Sequence, residues 1–467
     1  MTSFSTLPLS DAFLANLDSL GYKEMTPIQA QSLPPVLQGC DLIAQAKTGS
    51  GKTAAFGIGL LQKINPAWFA TQGLVLCPTR ELADQVANEL RRLARSVGNV
   101  KILVLTGGAP MRPQIASLEH GAHIVVGTPG RIRDHISRQT IDLSTVQMLV
   151  LDEADRMTDM GFYDEIAGIV SACPKRRQTL LFSATYPDDM RAATEAFLYE
   201  PVEVIVEAQH TSSQIEQRFY EIGFDERDAS VARLLGHYRP ASAIVFCNTK
   251  AHCRELLDTL RADGFSALAL YGELEQRERD EILVLFSNRS CSILIATDVA
   301  ARGLDISGLE AVINADVSKD SEVHIHRVGR TGRAGEQGLA LTLCAPNEKK
   351  WVKAIEEYQG STVEWRDIKE LSAEDEHGDP APMMTLCIAG GKKDKLRPGD
   401  VLGALTGDGK LMKEQVGKIN VTEFQTYVAL DRRIAYDAFS RLNAASRMGG
   451  DFGSFKGRNF KMRFIEI

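Results

Sequence analysis

The stretch Leu42–Thr53, LIAQAKTGSGKT, strongly constrains what this chain can fold into. A short apolar run predicts a buried strand, and a loop of small residues leads from it into a predicted helix. The loop offers backbone N–H groups, a cation and a helix N-terminus in one place, as a polyphosphate requires. Its first position is Ala46 where the strict pattern has glycine, so an ordinary glycine loop is the alternative interpretation. The predicted nucleotide contacts are Ala46, Lys47, Thr48, Gly49, Ser50, Gly51, Lys52, which reaches the β/γ-phosphates, and Thr53, whose hydroxyl can ligate Mg²⁺.

The length of 467 residues predicts two to four domains with sizeable cores. No apolar run is long enough to span a bilayer, and the N-terminus lacks a basic and apolar signal pattern. Eight cysteines are scattered singly, without a CxxC pair, and several lie in apolar runs. Buried reduced thiols are therefore expected rather than disulfides or zinc ligands. We expect a cytoplasmic protein with no membrane contact.

Charge is distributed unevenly along the chain, whose formal net charge is −8. Residues 1–376 hold 38 Lys+Arg against 51 Asp+Glu, a net of −13, and residues 377–467 hold 15 against 10, a net of +5. A basic C-terminal region on an acidic body predicts that this region meets a polyanion. The same balance would also suit a surface that only confers solubility, so both interpretations stay open.

Apolar strand-like runs alternate with longer helical patterns through about residue 370, and the pattern restarts after residue 210. Near-continuous apolar strands alternating with helices predict an α/β fold of two parallel-sheet domains, each covered on both faces. Besides the strand before the phosphate-binding loop, the predicted strands include Gly73–Cys77, Lys101–Leu105, His123–Val126, Met148–Leu151, Thr179–Phe182, Ala243–Cys247, Ala267–Leu270, Ser292–Ala296, Ala311–Asn314 and Leu339–Leu343. The predicted boundaries are 1–207 and 213–369 for the sheet domains, 370–382 for a polar linker and 383–467 for a small third domain.

Acidic residues follow the predicted strand Met148–Leu151 directly. The carboxyl ends of the strands form the edge at which open α/β sheets bind ligands. Asp152 is placed there to hold Mg²⁺ through water, and Glu153 to orient the attacking water as a general base. A solvated acidic turn is the alternative, which the phosphate-binding loop upstream disfavours.

The segment Asp152-Glu153-Ala154-Asp155, with the loop before it and Ser183-Ala184-Thr185 after it, resembles the motif series of the DEAD-box RNA helicase family. The resemblance runs from about Phe4 to Arg333. It implies two tandem RecA-like P-loop domains, ATP and Mg²⁺ as cofactors, and RNA as the substrate. Gly21–Gln29, preceded by Phe4, is similar to the adenine-recognising Q motif of the family. By that resemblance Gln29 hydrogen-bonds the adenine edge and Tyr22 packs on its face.

The segment His326–Arg333, HRVGRTGR, carries three arginines in seven positions. A basic helix face is one interpretation, but phosphoryl transfer also needs planar cationic donors at the γ-phosphate. The resemblance makes Arg330 and Arg333 the arginine fingers, which complete a catalytic set with Lys52, Asp152 and Glu153. It implies that Gly303 and Asp305 touch the nucleotide when the cleft between the domains closes. It assigns interdomain coupling to Asp155, Ser183, Thr185 and His326.

Motifs of small and basic residues occupy the sequence positions at which proteins of this family bind the RNA backbone. Exposed N–H groups, hydroxyls and arginines suit phosphate and sugar, and they carry little base information. Each motif alone is an ordinary loop, so the prediction depends on the whole series. The implied contacts are Pro78, Thr79, Arg80, Gly107, Gly108, Thr128, Pro129, Gly130 and Arg131 in the first domain, and Asn248, Gln276, Arg279 and Thr297 in the second.

The C-terminal region predicts a β-α-β-β-α-β order, which suits an RRM-like α+β domain. Its predicted strands are Met384–Ala389, Val416–Val421, Thr426–Leu430 and Phe460–Ile465, and its predicted helices are Pro398–Leu405 and Arg432–Leu442. Tyr427 is the one aromatic on the third strand and the first strand has none, so we do not expect ordinary base stacking on the sheet. The glycine-rich stretch Asn443–Asn459 predicts a loose loop.

The segments Gly390–Thr406 and Val416–Ile419 resemble the C-terminal region of the DbpA-type bacterial DEAD-box proteins. That resemblance extends over the whole chain and implies docking on a hairpin of large-subunit ribosomal RNA in a pre-ribosomal particle. The implied RNA contacts are Lys392, Lys393, Lys395, Arg397, Lys418, Tyr427, Lys456 and Arg458. We therefore expect a monomeric ATP-dependent RNA helicase that locally opens ribosomal duplexes during large-subunit assembly. An ATP-gated RNA clamp, which would not need Glu153, Arg330 and Arg333, and a DNA helicase are the alternatives.

Overall fold

A computed structural model describes residues 2–46, 49–186, 188–206, 215–301, 309–332, 337–371, 378, 380–446 and 451–465. The chain divides near residue 210 into two compact units. The first unit holds one sheet domain, and the second holds another sheet domain together with the C-terminal domain. Among the described residues, no helix has both the length and the apolar character that crossing a membrane requires.

The first sheet domain contains seven parallel strands in the order β5-β6-β4-β7-β8-β3-β9, with β1 and β2 as a separate antiparallel pair. Its elements are β1 (Thr2–Ser3), α1 (Asp11–Ser19), β2 (Glu24–Met25), α2 (Pro27–Gln38), β3 (Leu42–Gln45), α3 (Lys52–Lys63), β4 (Gly73–Leu76), α4 (Arg80–Leu93), β5 (Ile102–Leu105), α5 (Met111–Glu119), β6 (Ile124–Gly127), α6 (Pro129–Ser137), β7 (Met148–Asp152), α7 (Ala154–Asp159), α8 (Tyr163–Ala172), β8 (Gln178–Ser183), α9 (Asp188–Thr194) and β9 (Val202–Ile205).

The second sheet domain has the same topology as the first. Its strand order is β12-β13-β11-β14-β15-β10-β16, which is the order of the first sheet with seven added to each strand number. All of its strand pairs are parallel. Its elements are β10 (Ile215–Glu221), α10 (Arg227–Tyr238), β11 (Ala243–Phe246), α11 (Lys250–Ala262), β12 (Ala267–Leu270), α12 (Gln276–Ser287), β13 (Ile293–Ala296), α13 (Asp298–Ala301), β14 (Ala311–Asn314), α14 (Ser321–Val328), β15 (Gly338–Cys344), α15 (Lys349–Gln359) and β16 (Glu364–Arg366).

The alternation of side chains along the strands explains why each parallel sheet is covered on both faces. On β4, Val75 packs into one core cluster, while Leu74 and Leu76 pack into the cluster on the opposite face. All four residues of β4 are buried. A strand that is apolar on both faces loses its favourable burial unless helices cover both sides of the sheet. The predicted doubly covered α/β fold is confirmed.

Local capping signals position the helices that begin at the carboxyl edge of each sheet. The Thr79 hydroxyl accepts from Leu82 N at 3.2 Å at the start of α4, and Thr249 caps α11 in the same way through His252 N at 3.2 Å. Thr26 and Gln29 form a reciprocal capping box at the start of α2, with Pro27 at the first helical position. Such caps satisfy amides that no helical carbonyl can reach.

The C-terminal domain is a five-stranded antiparallel sheet in the order β18-β19-β17-β21-β20 with two helices. Its elements are β17 (Met383–Ile388), α16 (Pro398–Thr406), β18 (Val416–Val421), β19 (Thr426–Asp431), α17 (Ala435–Ser446), β20 (Phe452–Phe455) and β21 (Arg458–Phe464). The prediction of a loose loop over 443–459 is wrong for β20, which pairs Phe452 with Lys461 and Phe455 with Arg458. Phe455 is fully buried in the core, and this burial outweighs the glycine content of the segment.

The C-terminal domain packs against the second sheet domain within the same unit. The Thr385 hydroxyl of β17 accepts from Asn288 Nδ2 at 3.1 Å and is hydrogen-bonded to Ser290 Oγ at 2.7 Å. Asn288 Oδ1 in turn accepts from Asn420 Nδ2 of β18 at 3.1 Å. Core residues alternate along the strands with Thr385, Cys387, Tyr427 and Ala429, which are also buried. The outer face of the small sheet is therefore covered by the second sheet domain.

Candidate nucleotide site and RNA-binding surfaces

The phosphate-binding loop begins where β3 meets the neighbouring strand β8. Ala46 N donates to Ser183 O at 3.0 Å, so the first residue of the loop is held at the sheet edge. The loop ends at Gly51, whose φ of +96° is unfavourable for any residue with a side chain. A Cβ at Gly51 would also lie 2.5 Å from Gln29 Nε2. Lys52 starts α3 with its side chain buried, and its Nζ donates to Ala46 O at 2.8 Å.

Of the residues predicted to contact adenine, Gln29 lies directly against this loop, and Tyr22 packs with Phe4. Gln29 Nε2 donates to Gly51 O at 3.1 Å, and Gln29 Oε1 accepts from Thr26 N at 3.0 Å. Tyr22 and Phe4 meet edge to face with ring centroids 6.3 Å apart. The Tyr22 hydroxyl donates to a carboxylate of α4, and burial raises the pKa of that phenol. The tyrosine is therefore oriented by neighbours on two sides.

The two acidic residues at the end of β7 are both buried. Asp152 is 3% exposed, and burial raises its pKa to about 7 although the Lys52 cation opposes the shift. Its Oδ1 accepts from Glu153 N at 3.1 Å. Glu153 has a φ of +52°, a strained conformation for a residue with a side chain, and its buried Oε2 has no hydrogen-bond partner among the described residues. Such strain and unsatisfied charge concentrate at functional sites.

Asp155 links the end of β7 to the segment that follows β8. Its backbone N donates to Ser183 Oγ at 3.2 Å. Its Oδ2 accepts from the backbone N of Ala184 and of Thr185, at 3.3 Å in each case, with Thr185 Oγ1 at 3.5 Å. Because Ser183 also holds Ala46, the loop, the acidic segment and the Ser183–Thr185 segment form one hydrogen-bonded framework.

The first-domain residues predicted to contact RNA are brought together by arginines. A Cβ on Gly107 or Gly108 would lie 3.0 Å or 1.8 Å from the Arg80 guanidinium, so glycine allows Arg80 to lie against this turn. Arg131 donates to Ala109 O and Gln114 Oε1, both at 2.9 Å. Arg131 lies in α6, which begins at Pro129 after Thr128 and includes Gly130. Pro78 and Thr79 stand at the start of α4.

Two buried polar residues that support this surface were missed by the sequence analysis. Gln114 Nε2 donates to Thr106 O at 3.0 Å, and its Oε1 lies 3.0 Å from His135 Nε2. Gln114 therefore joins the glycine turn to Arg131 and α6. The only sequence signal was a glutamine on α5, which gives no indication of partners 17 and 21 positions away.

In the second domain, the carboxyl ends of the strands again carry the predicted residues. Asn248 follows β11, Thr297 follows β13, and Gln276 and Arg279 lie at the start of α12, where Arg279 donates to Ala300 O at 3.3 Å. His326 lies near the end of α14, and Arg330, 7% exposed, follows that helix. Lys47, Thr48, Gly303, Asp305 and Arg333 lie outside the described residues.

Arg327 connects several residues at this edge of the sheet, although no role was predicted for it from the sequence. Its side chain is almost fully buried, and it forms an ion pair with Asp298 at 2.6 Å. It also donates to Asn248 Oδ1 at 2.8 Å and to Asp316 O at 2.7 Å. The position of Asn248 therefore depends on α14. The signal available in the sequence was the HRVGR segment itself, in which Arg327 is the first arginine.

The structure gathers most of the basic residues predicted in the C-terminal domain into one patch. Lys392, Lys393, Lys395 and Arg397 are exposed between β17 and α16. Lys456 and Arg458, from the turn between β20 and β21, reach this segment through Lys395 O at 3.4 Å and Asp394 O at 3.0 Å. We call these six residues the basic cluster. Lys393 Nζ lies 4.1 Å from the ring centroid of Phe424, which is 61% exposed and was not predicted.

Tyr427 and Lys418 lie away from the basic cluster, on the side that faces the second sheet domain. Tyr427 is only 6% exposed, and its hydroxyl donates to Gln425 Oε1 at 2.6 Å. Burial raises its pKa to about 12, with Glu281 and Arg277 of α12 nearby. The assignment of Tyr427 as an RNA contact is therefore corrected, because a base cannot reach its ring in this arrangement. Lys418 is exposed and donates to Ser287 Oγ at 3.4 Å.

Three family models match the chain: DEAD/DEAH box helicase over residues 26–193, helicase conserved C-terminal domain over 226–335, and DbpA RNA binding domain over 385–453. The ATP-dependent RNA helicase DbpA of Escherichia coli is 49% identical over 473 residues, which cover 100% of both chains. The DEAD-box ATP-dependent RNA helicase CshA of Bacillus cereus is 46% identical over 357 residues, which cover 76% of this chain and 68% of CshA.

Among solved structures, S. cerevisiae Dbp5 bound to RNA and ADP BeF3 matches with a TM-score of 0.73 and 28% identity, over 79% of this chain and 97% of that chain. Mss116p bound to ssRNA and AMP-PNP matches with a TM-score of 0.68 and 25% identity, over 77% of each chain. Each of the two alignments is longer than a single sheet domain of this chain.

Proposed function

The chain belongs to the DEAD-box family of ATP-dependent RNA helicases, and from this premise we propose that it remodels ribosomal RNA during assembly of the large subunit. The C-terminal domain recruits a hairpin of that RNA, and the sheet domains open short duplexes near it. The observation that carries this proposal is the basic cluster, which joins two segments about 60 positions apart into one exposed surface. Three of its six cations, Lys393, Lys456 and Arg458, also pair with acidic residues of the domain, and among the described residues the other three do not appear in such pairs.

The residues at the carboxyl edge of the first sheet suit a nucleotide with Mg²⁺. Asp152 is a buried carboxylate with a raised pKa, and Glu153 Oε2 and Ser50 Oγ are buried without partners among the described residues. Such groups are costly unless a ligand satisfies them. Thr53 and Asp152 would hold the cation, which neutralises charge on the phosphates when bound. Lys52, now bonded to Ala46 O, is the side chain that exchanges this contact for a phosphate oxygen.

Hydrolysis of ATP requires residues from both sheet domains in this proposal. Glu153 orients the attacking water and accepts its proton, and its strained backbone fixes the direction of the side chain. Arg330 and Arg333 stabilise negative charge that develops on the γ-phosphate. Gly303 and Asp305 complete the nucleotide contacts. Asp155, Ser183, Thr185 and His326 couple this chemistry to the movement of the domains.

RNA is held by its backbone at both sheet domains and by the C-terminal domain, without a contribution from Tyr427. Arg80, Arg131 and the turn at Gly107 and Gly108 form the surface of the first domain. Asn248, Thr297, Gln276 and Arg279 form that of the second. The proposed division of the chain remains 1–207, 213–369, 370–382 and 383–467. We further propose that the protein acts in the cytoplasm as a monomer.

The deciding experiment measures ATP hydrolysis stimulated by ribosomal RNA fragments with and without the hairpin. Because the C-terminal domain covers Asn288 and Ser290, point variants are cleaner than its deletion. Lys392→Ala/Lys393→Ala should raise the KM for hairpin RNA by about tenfold or more and leave kcat unchanged, since lost phosphate contacts weaken binding. The RNA without the hairpin should be affected little. Equal losses with both RNAs would contradict hairpin selection.

Lys413→Ala/Arg433→Ala is the matched control, because it removes the same charge from exposed positions of this domain outside the basic cluster. It should behave as the wild-type protein.

Turnover itself is tested with Glu153→Gln, which should slow hydrolysis by about 10²–10⁴-fold while ATP and RNA still bind. Near-normal hydrolysis in Glu153→Gln would remove the assigned base. Wild-type protein that binds RNA with ATP but does not turn over would instead be an ATP-gated clamp.

A further inference from the structure

Three potential metal ligands of the second sheet domain converge at the carboxyl ends of two paired strands. Cys247 directly follows β11, Asp316 lies two residues beyond β14, and His252 is in the first turn of α11. One ligand atom from each of these residues lies within 4.8 Å of the other two. A tetrahedral zinc site with sulfur, nitrogen and oxygen ligands spaces such atoms by about 3.3–3.8 Å. Only small side-chain movements separate the two geometries.

The second ring nitrogen of His252 already has the partner that a metal-bound histidine requires. His252 Nδ1 lies 2.8 Å from Asp316 Oδ2, and Nε2 lies 2.9 Å from Asp228 Oδ1. With a cation at Nδ1, the Nε2–H group donates to Asp228, the arrangement in which a carboxylate orients the ring and raises its basicity. Asn248 N donates to Asp316 Oδ2 at 2.7 Å and so fixes the Asp316 carboxylate.

The surroundings of the three residues suit a soft divalent cation. Cys247 and Cys253, the residue after His252, are both fully buried. The Asp228 and Asp316 side chains are 30% and 14% exposed, so the carboxylate side is reachable from solvent. A water molecule would complete four-coordination. A set of one sulfur, one nitrogen and one oxygen ligand favours zinc over magnesium or calcium.

We propose that Cys247, His252 and Asp316 form a structural binding site for a zinc-class divalent cation, with Asp228 as the hydrogen-bond partner of the histidine. The site departs from the expectation that the cysteines are only buried thiols. No short sequence motif predicts this metal site, because His252 and Asp316 are 64 positions apart.

A cation at this position would hold the end of β11 against the end of β14. Asn248, which follows Cys247, and the Asp316 carbonyl both accept hydrogen bonds from Arg327, at 2.8 Å and 2.7 Å. The cation would therefore stiffen the framework that positions Asn248 for RNA. Its role is structural, since no ligand belongs to the predicted nucleotide site.

Without a cation, the same residues form a different stable arrangement, in which a protonated His252 lies between the carboxylates of Asp228 and Asp316. The two possibilities differ in whether the Cys247 sulfur becomes a thiolate ligand. Cobalt(II) reports this directly, because thiolate coordination produces a sulfur-to-metal charge-transfer absorption band that carboxylate or imidazole ligands do not produce.

The test titrates chelator-treated full-length protein with Co²⁺ and then with Zn²⁺. The wild-type protein should develop a charge-transfer band that saturates at one Co²⁺ per chain and disappears as Zn²⁺ replaces it. Cys247→Ser should abolish the band. Cys291→Ser is the matched control, because Cys291 is another buried thiol of this domain, hydrogen-bonded to backbone carbonyls, and its variant should keep the band. A wild-type protein without a saturable band would overturn the proposal, as would an unchanged band in Cys247→Ser.

A second variant keeps the test decisive if Cys247→Ser does not fold. Asp228→Asn retains every ligand and removes only the charge of the partner carboxylate. It should keep the band but raise the metal dissociation constant by about 10–100-fold. Zn²⁺ should also raise the melting temperature of the wild-type protein, as ligand binding to the folded state requires. Unchanged metal affinity in Asp228→Asn would contradict the proposed geometry.

Discussion

Gln29 Nε2 donates to the carbonyl of Gly51 at 3.1 Å, so the residue predicted to recognise adenine already touches the phosphate-binding loop. The same side chain accepts from Thr26 N through Oε1 and caps its own helix. The predicted adenine contact and the phosphate-binding loop therefore share one side chain.

Gln29→Glu separates these two roles. A glutamate still accepts from Thr26 N but cannot donate to Gly51 or to an adenine acceptor. We expect the KM for ATP to rise by about tenfold or more, and the preference for ATP over GTP to fall, since an unmatched polar group is costly. Steady-state kinetics with both nucleotides measures this. Gln31→Glu, which adds the same charge at an exposed position of α2, should have no such effect.

Arg330→Lys tests whether a planar guanidinium is needed in the second domain. Arg330 is 7% exposed, so a substitution that keeps the charge is preferable to truncation. We expect kcat to fall by at least about 10²-fold and the dissociation constant for ATP to change by only a few-fold, because an arginine finger acts on transition-state charge. Arg366→Lys, at an exposed position on β16, is the control. If both parameters change equally, Arg330 binds the ground state instead.

Thr385→Val should loosen the C-terminal domain from the second sheet domain. Valine matches the shape of threonine but removes the hydroxyl that Asn288 and Ser290 bond, which leaves both buried groups without this partner. We expect about 1–3 kcal/mol of destabilisation and faster amide hydrogen exchange around Ser287–Ser290. Thr406→Val loses only exposed bonds within its own helix and should exchange as the wild-type protein does. Unchanged exchange in Thr385→Val would show that other contacts hold the interface.

His324 makes the second unit sensitive to acid. Burial, reinforced by the nearby Arg327 cation, lowers the pKa of His324 to about 3. Nδ1 has no partner among the described residues, and Nε2 lies 3.3 Å from Gln217 Oε1. The unfolded chain takes up a proton near pH 6.5 whereas the folded one does not, so stability falls as the pH drops from about 6.5 toward 3.

The contribution of His324 to the free energy of unfolding should be about 2 kcal/mol less favourable at pH 5 than at pH 8. His324→Gln removes the titrating group and should flatten this part of the pH dependence. Urea unfolding midpoints of both proteins at several pH values measure the difference. Identical pH slopes for the two proteins would mean that His324 titrates alike in both states.

Much of the fold was predictable from the sequence because its signals are local. The strand Gly73–Leu76 is apolar throughout, the Thr26–Gln29 capping box lies within four residues, and the loop ending at Gly51 and Lys52 needs no distant partner to be recognised. Each pattern reflects backbone geometry and burial over a few residues. The edge strands β9 and β16 were missed because short, partly exposed strands lack a continuous apolar run.

Only the tertiary structure decided which of these local features meet. Arg80 lies against Gly108, Lys456 reaches the segment after β17, Thr385 is covered by Asn288, and Cys247 approaches Asp316. A side chain carries no local mark of a partner tens of positions away, because that contact depends on strand order and domain packing. Tyr427 shows the consequence: its sequence position predicted an exposed aromatic on a sheet, and the packing of one domain on another buried it.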